Sequence, residues 1–218
     1  MEDLNLGWNV QPSLTYGPDW RALGATGSEL IPRLTLRKVF GTEFCQFLAL
    51  RGDYSSAYIN GGNGLRLATL DMEYFWHFQE RHTLAAHLAF DHGWRLDGPS
   101  VLGLGEDNGL RGYRAGQFMG NRRLLLSAED RVFFFENLWK LLDAGGVVFV
   151  DTGYAWMPQQ RFSLTDLKSS LGVGLRLGAT RSAGNDPLRI DFAKAINANS
   201  FPSRWTLSIQ AGASFGPN

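Results

Sequence analysis

The chemistry in this chain concentrates in one arginine and two carboxylates. Arg111 lies in the run Leu110-Arg111-Gly112-Tyr113, inside a glycine-rich stretch between Arg95 and Asn121, and Glu129 and Asp151 follow on two alternating segments. Alternate side chains of an extended chain share a face, so Arg123, Leu125, Ser127, Glu129 and Arg131 point one way, as do Val147, Phe149, Asp151 and Gly153. Glu129 and Asp151 can then face one interior, where a guanidinium offers a planar fork to carboxylates and Phe149 packs beside it. The stretch carrying Arg111, about 25 residues, far exceeds ordinary connections of about 4 to 6, and Gly103, Gly105, Gly109, Gly112, Gly116 and Gly120 let it fold back sharply. A tip that enters an interior needs a carboxylate partner for its charge, and the two carboxylates supply it. The plainer alternative is a solvated arginine on an outer loop.

Other candidate chemistry is weaker. Ser127, Glu129 and Asp151 do not make a nucleophile, a base and an orienting group, so the expectation is an ion pair and no enzymatic activity. The segment Gly103 to Gly109 lacks the lysine and following helix of a phosphate loop. His77, His82, His87 and His92 recur every five residues, a spacing that does not converge on a strand pair, so neither metal nor cofactor is expected. Cys45 is the only cysteine, which excludes an intramolecular disulfide and a cysteine-rich zinc site. Lys and Arg total 21 against 21 Asp and Glu, so no basic excess points to nucleic acid.

The elements that must position these residues announce themselves by period-two alternation. Leu4, Leu6, Trp8, Val10, Pro12, Leu14 and Tyr16 oppose Asn5, Gly7, Asn9, Gln11, Ser13 and Thr15. Leu30, Pro32, Leu34 and Leu36 oppose Arg33, Thr35 and Arg37, and Trp205, Leu207, Ile209, Ala211, Ala213 and Phe215 oppose Thr206, Ser208, Gln210, Gly212 and Ser214. Further strands are predicted at 43–59, 65–79, 83–95, 122–136, 145–157, 170–181 and 187–196, with a helical turn at Glu136 to Ala144 and turn chemistry at Gly61 to Gly64. Short connectors (Phe40 to Glu43, Gln79 to His82, Ser182 to Asp186) alternate with long ones (Gly17 to Ser28, Leu96 to Asn121, Met157 to Ser169). Such alternation describes periplasmic turns and extracellular loops of an outer-membrane barrel, and a soluble sandwich or lipocalin-type barrel would also alternate.

Three details favour the membrane. The strands exceed the usual soluble length of about 5 to 6 residues. Aromatics such as Tyr74, Trp76, Phe78, Tyr154 and Trp156 gather at strand ends on the apolar face, and the opposite face carries Thr69, Asp71 and Glu73, or Arg189 and Asp191. Asp130 is an exception, an acid on the apolar face. With 26 Gly, 13% aromatic and 19% charged residues the composition suits strands and tight turns, and no apolar run approaches the roughly 18 residues a spanning helix needs. Residues 1–218 are read as one domain.

On these residues the chain resembles the Omp85 superfamily, in its C-terminal bacterial surface antigen (D15) barrel region. Leu110-Arg111-Gly112-Tyr113 matches the family's Val/Leu-Arg-Gly-Phe/Tyr loop motif. Ser127-Ala128-Glu129, Phe149 to Gly153, Gly172-Val173-Gly174-Leu175-Arg176, Pro187 to Ala193 and a last strand ending at Phe215 follow in the family's order. The resemblance covers about Leu96 to Phe215 and implies an all-β, transmembrane antiparallel β-barrel in the bacterial outer membrane. The ten or so strands here would be the last of sixteen, and Arg111 would dock on Glu129, Phe149 and Asp151. It further implies insertion of outer-membrane proteins or translocation of a polypeptide substrate, with an adjustable seam near the last strand, about 204–215. No POTRA domain precedes Leu4 and Met1 to Asn5 do not read as a secretory signal, so the expectation is a fragment or a short member of the family. Partners would be outer-membrane lipid and a missing barrel half or another copy. A small-solute pore or binding barrel of the outer membrane, and a soluble β-barrel binding module, stand as alternatives.

Overall fold

The computed structural model describes residues 7–17, 29–42, 46–59, 62–96, 101–138, 142–179, 188–196 and 205–211. These form an all-β protein. Its main sheet has ten antiparallel strands, and its chain order is nearly its spatial order: β1 (Gly7–Gly17), β2 (Glu29–Thr42), β3 (Gln46–Ile59), β4 (Gly62–Gln79), β5 (His82–Trp94), β8 (Arg122–Leu138), β9 (Leu142–Trp156), β10 (Lys168–Ala179), β11 (Leu188–Ala195) and β12 (Trp205–Ala211). The only interruption is β6 (Leu102–Leu104) and β7 (Phe118–Gly120), a separate two-stranded sheet inside the long loop. Among the described residues β1 and β12 are edges of an open sheet.

The meander follows from the alternation, because each hairpin register that keeps apolar residues on one face is fixed to the residue by the period of two. Cross-strand rows keep their polarity from strand to strand: Thr35 pairs with Asp53 and Asp53 with Thr69, while Leu70 pairs with Phe90 and Phe90 with Leu124. Connections at one end of the sheet are short, at 80–81 and between β2 and β3, β8 and β9. The other end carries the residues between β1 and β2, the long loop between β5 and β8, and the 157–167 connection. The two-residue link from β3 to β4 is the exception at that end.

The described ends of the predicted helical turn at Glu136 to Ala144, residues 136–138 and 142–144, are strand. β8 extends to Leu138 and β9 begins at Leu142, with register shifts at Phe133/Phe135 and Phe135/Leu138. The aromatic run Phe133-Phe134-Phe135 favours a pleated surface, and the strands absorb their irregularity as bulges. Likewise Gly62, Asn63 and Gly64 open β4 instead of forming a turn. Leu4, Leu6, Gly61, the 18–28 connection, Ser182 to Asp186, residues 139–141 and the last strand beyond Ala211 lie outside the described residues.

Burial is inverted relative to a water-soluble domain. Trp8, Leu14, Val173, Leu207 and Ile209 are more than half exposed, whereas Asp91, Arg111, Glu129, Asp151 and Asp191 are buried. Asp130 does face outward, beside the His82 imidazole at 3.3 Å. His77 and His87 lie on the inner face against Thr83 and Asp71, and His82 and His92 on the outer one. Among the described residues no three metal-ligating side chains gather.

Candidate functional site

The long loop folds back onto the inner face of the sheet. β6 pairs with β7, a 3-10 turn spans Glu106–Asn108, and Gly109 closes it with φ +97°, a conformation that glycine adopts without steric cost. The loop has its own apolar side: Leu104, Leu110, Tyr113 and Phe118 pack on Ala89, Leu125, Ala155 and Ala195 of the wall. Small inward residues of β5, β9 and β11 therefore leave the space that the loop fills. Gly112 sets the closest approach. A Cβ there would run into Ser170 Cβ and stand 2.9 Å from Ala195 N and 3.0 Å from Lys194 C, all on the wall. Gly112→Val is expected to lift the tip off the sheet and expose residues 101–121 to limited proteolysis, while the sheet keeps its far-ultraviolet circular dichroism.

This seating carries Arg111 to the carboxylates. Its Nε and Nη2 donate to the two oxygens of Asp151 at 2.8 and 2.6 Å, and Nη1 donates to Glu129 Oε1 at 2.6 Å. Its backbone N–H also reaches Asp151, at 3.3 Å, and its carbonyl accepts from the Thr206 hydroxyl of β12. The Phe149 ring lies under the guanidinium, 3.4 Å from Cζ to the centroid, and Gly172 opposite gives that ring room. Burial works against the charge of Arg111, but the hydrogen-bonded Asp151 with Glu129 and Asp191 outweighs it, so its pKa is held above the ordinary arginine value. The loop residues and wall residues singled out by sequence thus occupy one site, together with Leu110, which is fully buried, and Tyr113, whose hydroxyl donates to Ser169 O at 3.2 Å.

Other members of the network were placed by the alternation or the motifs without being assigned as partners of Arg111. Ser127 donates to Asp151 Oδ1 at 2.6 Å and accepts from Arg111 Nη2 at 3.2 Å. Arg131 Nε donates to Glu129 at 2.8 Å, and Arg176 Nη1 to Asp191 Oδ1 at 2.5 Å. Arg189 reaches the other Asp191 oxygen at 3.2 Å, and Arg111 Nη1 lies 3.6 Å from it. Their signal was present in the alternation, which places Arg189 and Asp191 on one face.

Chemically the arrangement holds a cation and anchors a loop. The Ser127 hydroxyl donates to Asp151, a carboxylate whose two oxygens also accept from the Arg111 guanidinium. Comparison with family models and with curated proteins yields no match to this chain.

Proposed function

We propose that this sheet is wall of an outer-membrane β-barrel of the Omp85 type, with Arg111 as the internal latch of its long loop, and that it serves the insertion of outer-membrane proteins or the translocation of a polypeptide. The observation that carries the reading is the inverted polarity: a buried ionic cluster on one side of a sheet whose other side is apolar and exposed. In water such a face would exceed the apolar patches of a few hundred Å² found on soluble monomers; in lipid it is the favoured surface. Its height also fits. The outward residues of β4 from Ala68 to Phe78 span about 33 Å along the strand at about 3.3 Å per residue, or about 25 Å along the normal at a tilt near 40°. Lysines stand at the ends of the band, Lys38 over Trp8 and Phe40, and Lys194 over Trp205.

An open sheet edge in lipid leaves backbone groups unsatisfied, so β1 and β12 would be completed by further strands or by a second copy. The latch reaches that edge directly, since the Arg111 carbonyl is held by Thr206 of β12. Loop docking and the condition of the terminal strand are thereby coupled, which is the element a barrel that opens laterally needs. A second reading, conduction of small solutes, is favoured by the polar inner wall of β2 to β5, where Arg51 binds Asp53 at 2.7 Å and His87 faces Asp71 away from the latch.

The test is reconstitution of the full chain in liposomes. Acceleration of the insertion of an unfolded outer-membrane protein, lost in Arg111→Ala, is expected. Liposome swelling in sugar solutions without any acceleration would replace the assembly reading with the conducting one.

A further inference from the structure

At the rim where the long loops leave the sheet, the outer face changes from apolar to cationic around a hollow of about 380 Å³. It is lined chiefly by Arg66, His92, Trp94, Arg95, Arg122 and Pro158, and none of its described lining residues is acidic. Strand register builds it. Leu70, Phe90 and Leu124 form one cross-strand row on the outer face; Ala68, His92 and Arg122 form the next, and Arg66 and Trp94 the one beyond. At about 3.3 Å per residue, Arg122 lies about 7 Å and Arg66 about 13 Å along the strand from the apolar row.

The rim is built, not frayed. Gly93 N–H donates to Asn121 O at 2.7 Å, Asn121 N–H to Trp156 O at 3.1 Å, and Asn121 Nδ2 to Leu96 O at 3.3 Å. The Trp94 ring stacks on His92 with centroids 4.2 Å apart. Placement sets Arg66 and Arg122 apart from the arginines of the inner face, where Arg111, Arg123 and Arg176 each meet a carboxylate. Arg66 and Arg122 instead lie on the outer face, Arg122 one row and Arg66 two rows above leucine and phenylalanine. A ligand that fits both rows carries an anion at one end and hydrocarbon at the other.

The geometry points to a binding site for the phosphate headgroup of a lipid in the leaflet on the long-loop side, an assignment that rests on the membrane reading above. Arg66 and Arg122 fork onto phosphate oxygens, His92 adds a donor, Trp94 sits at headgroup level, and an acyl chain follows Leu70, Phe90 and Leu124.

The full chain, folded in neutral maltoside micelles, is titrated with phosphatidic acid, with diacylglycerol and with inorganic phosphate, and retention is read by native mass spectrometry. Phosphatidic acid is expected to bind in preference to diacylglycerol and to resist displacement by equimolar inorganic phosphate. Arg66→Ala/Arg122→Ala is expected to weaken binding by roughly tenfold or more, while Arg33→Ala/Arg37→Ala on the inner face of β2 leaves it unchanged. Heat-modifiable gel migration, recorded for every variant, reports the membrane fold separately. A chain that shows it but retains phosphatidic acid no better than diacylglycerol, or equally well without Arg66 and Arg122, overturns the lipid site alone. Displacement by equimolar phosphate reassigns the hollow to a free anion and overturns the headgroup. A chain with no heat-modifiable form overturns both readings.

Discussion

Arg111→Ala is expected to destabilise the folded protein by about 3 to 5 kcal/mol, the cost of removing one partner from a buried ion pair. The loss falls unevenly on the carboxylates. Glu129 keeps Arg131 at 2.8 Å and Asp191 keeps Arg176 at 2.5 Å, but Asp151 keeps no cation and is left with the hydroxyls of Ser127 and Ser170 and the backbone N–H of residue 111. A double-mutant cycle should therefore show its largest coupling between Arg111 and Asp151, with a smaller one between Arg111 and Glu129. Arg111→Lys is not a conservative exchange here. A lysine brings charge but neither the fork that spans both Asp151 oxygens nor the planar face that covers Phe149, so it should recover only part of the loss. Urea unfolding of the chain in lipid vesicles, followed by tryptophan fluorescence, measures all of these. Equal couplings to both acids would mean that Asp151 is not the anchor.

Val173→Arg is expected to cost about 2 to 4 kcal/mol, and Trp205→Arg near the rim only about 0 to 1 kcal/mol, in the same unfolding assay. Both side chains are more than half exposed on the outer face. In water, replacing an exposed residue changes stability by about 0.5 kcal/mol or less, so a large cost at Val173 arises only if the surroundings are hydrocarbon. Val173 pairs with Val148 and Phe192, deep within the apolar band, whereas Trp205 pairs with Lys194 where the band ends. The difference between the two substitutions therefore reads depth, with burial in the protein held nearly constant.

The strands were legible in the sequence because each carries its own evidence. Leu171, Val173 and Leu175 against Ser170, Gly172 and Gly174 define two faces with no reference to any other segment. The facing of Glu129 and Asp151 was legible for the same reason. What lay beyond local pattern was how deep the loop enters and which groups surround its tip. The Thr206 hydroxyl on the Arg111 carbonyl joins residues far apart in the chain, and Asp191 meets Arg111 only because β11 lies two strands from β9. The small β6–β7 sheet was hidden because Gly103 and Gly120 are poor strand formers, held in place by the wall on which Leu104 and Phe118 pack. The strand at 136–138 and 142–144 has the same lesson: Leu138, Trp139, Leu141 and Leu142 match a helical period over too few residues to outweigh two strands already in register.

The central claim, a sheet with lipid on one side and a latched arginine on the other, is tested most directly along β9. Nitroxide labels placed singly at Val148 and Val150, with the full chain reconstituted in bilayers, report collisions with oxygen dissolved in lipid and with a water-soluble nickel chelate. Both sites are outward and closely precede Asp151, the acid that holds Arg111 on the inner face. High oxygen and low nickel accessibility at both positions is the expected result. Nickel accessibility equal to that of a label on the exposed 157–167 loop would contradict it.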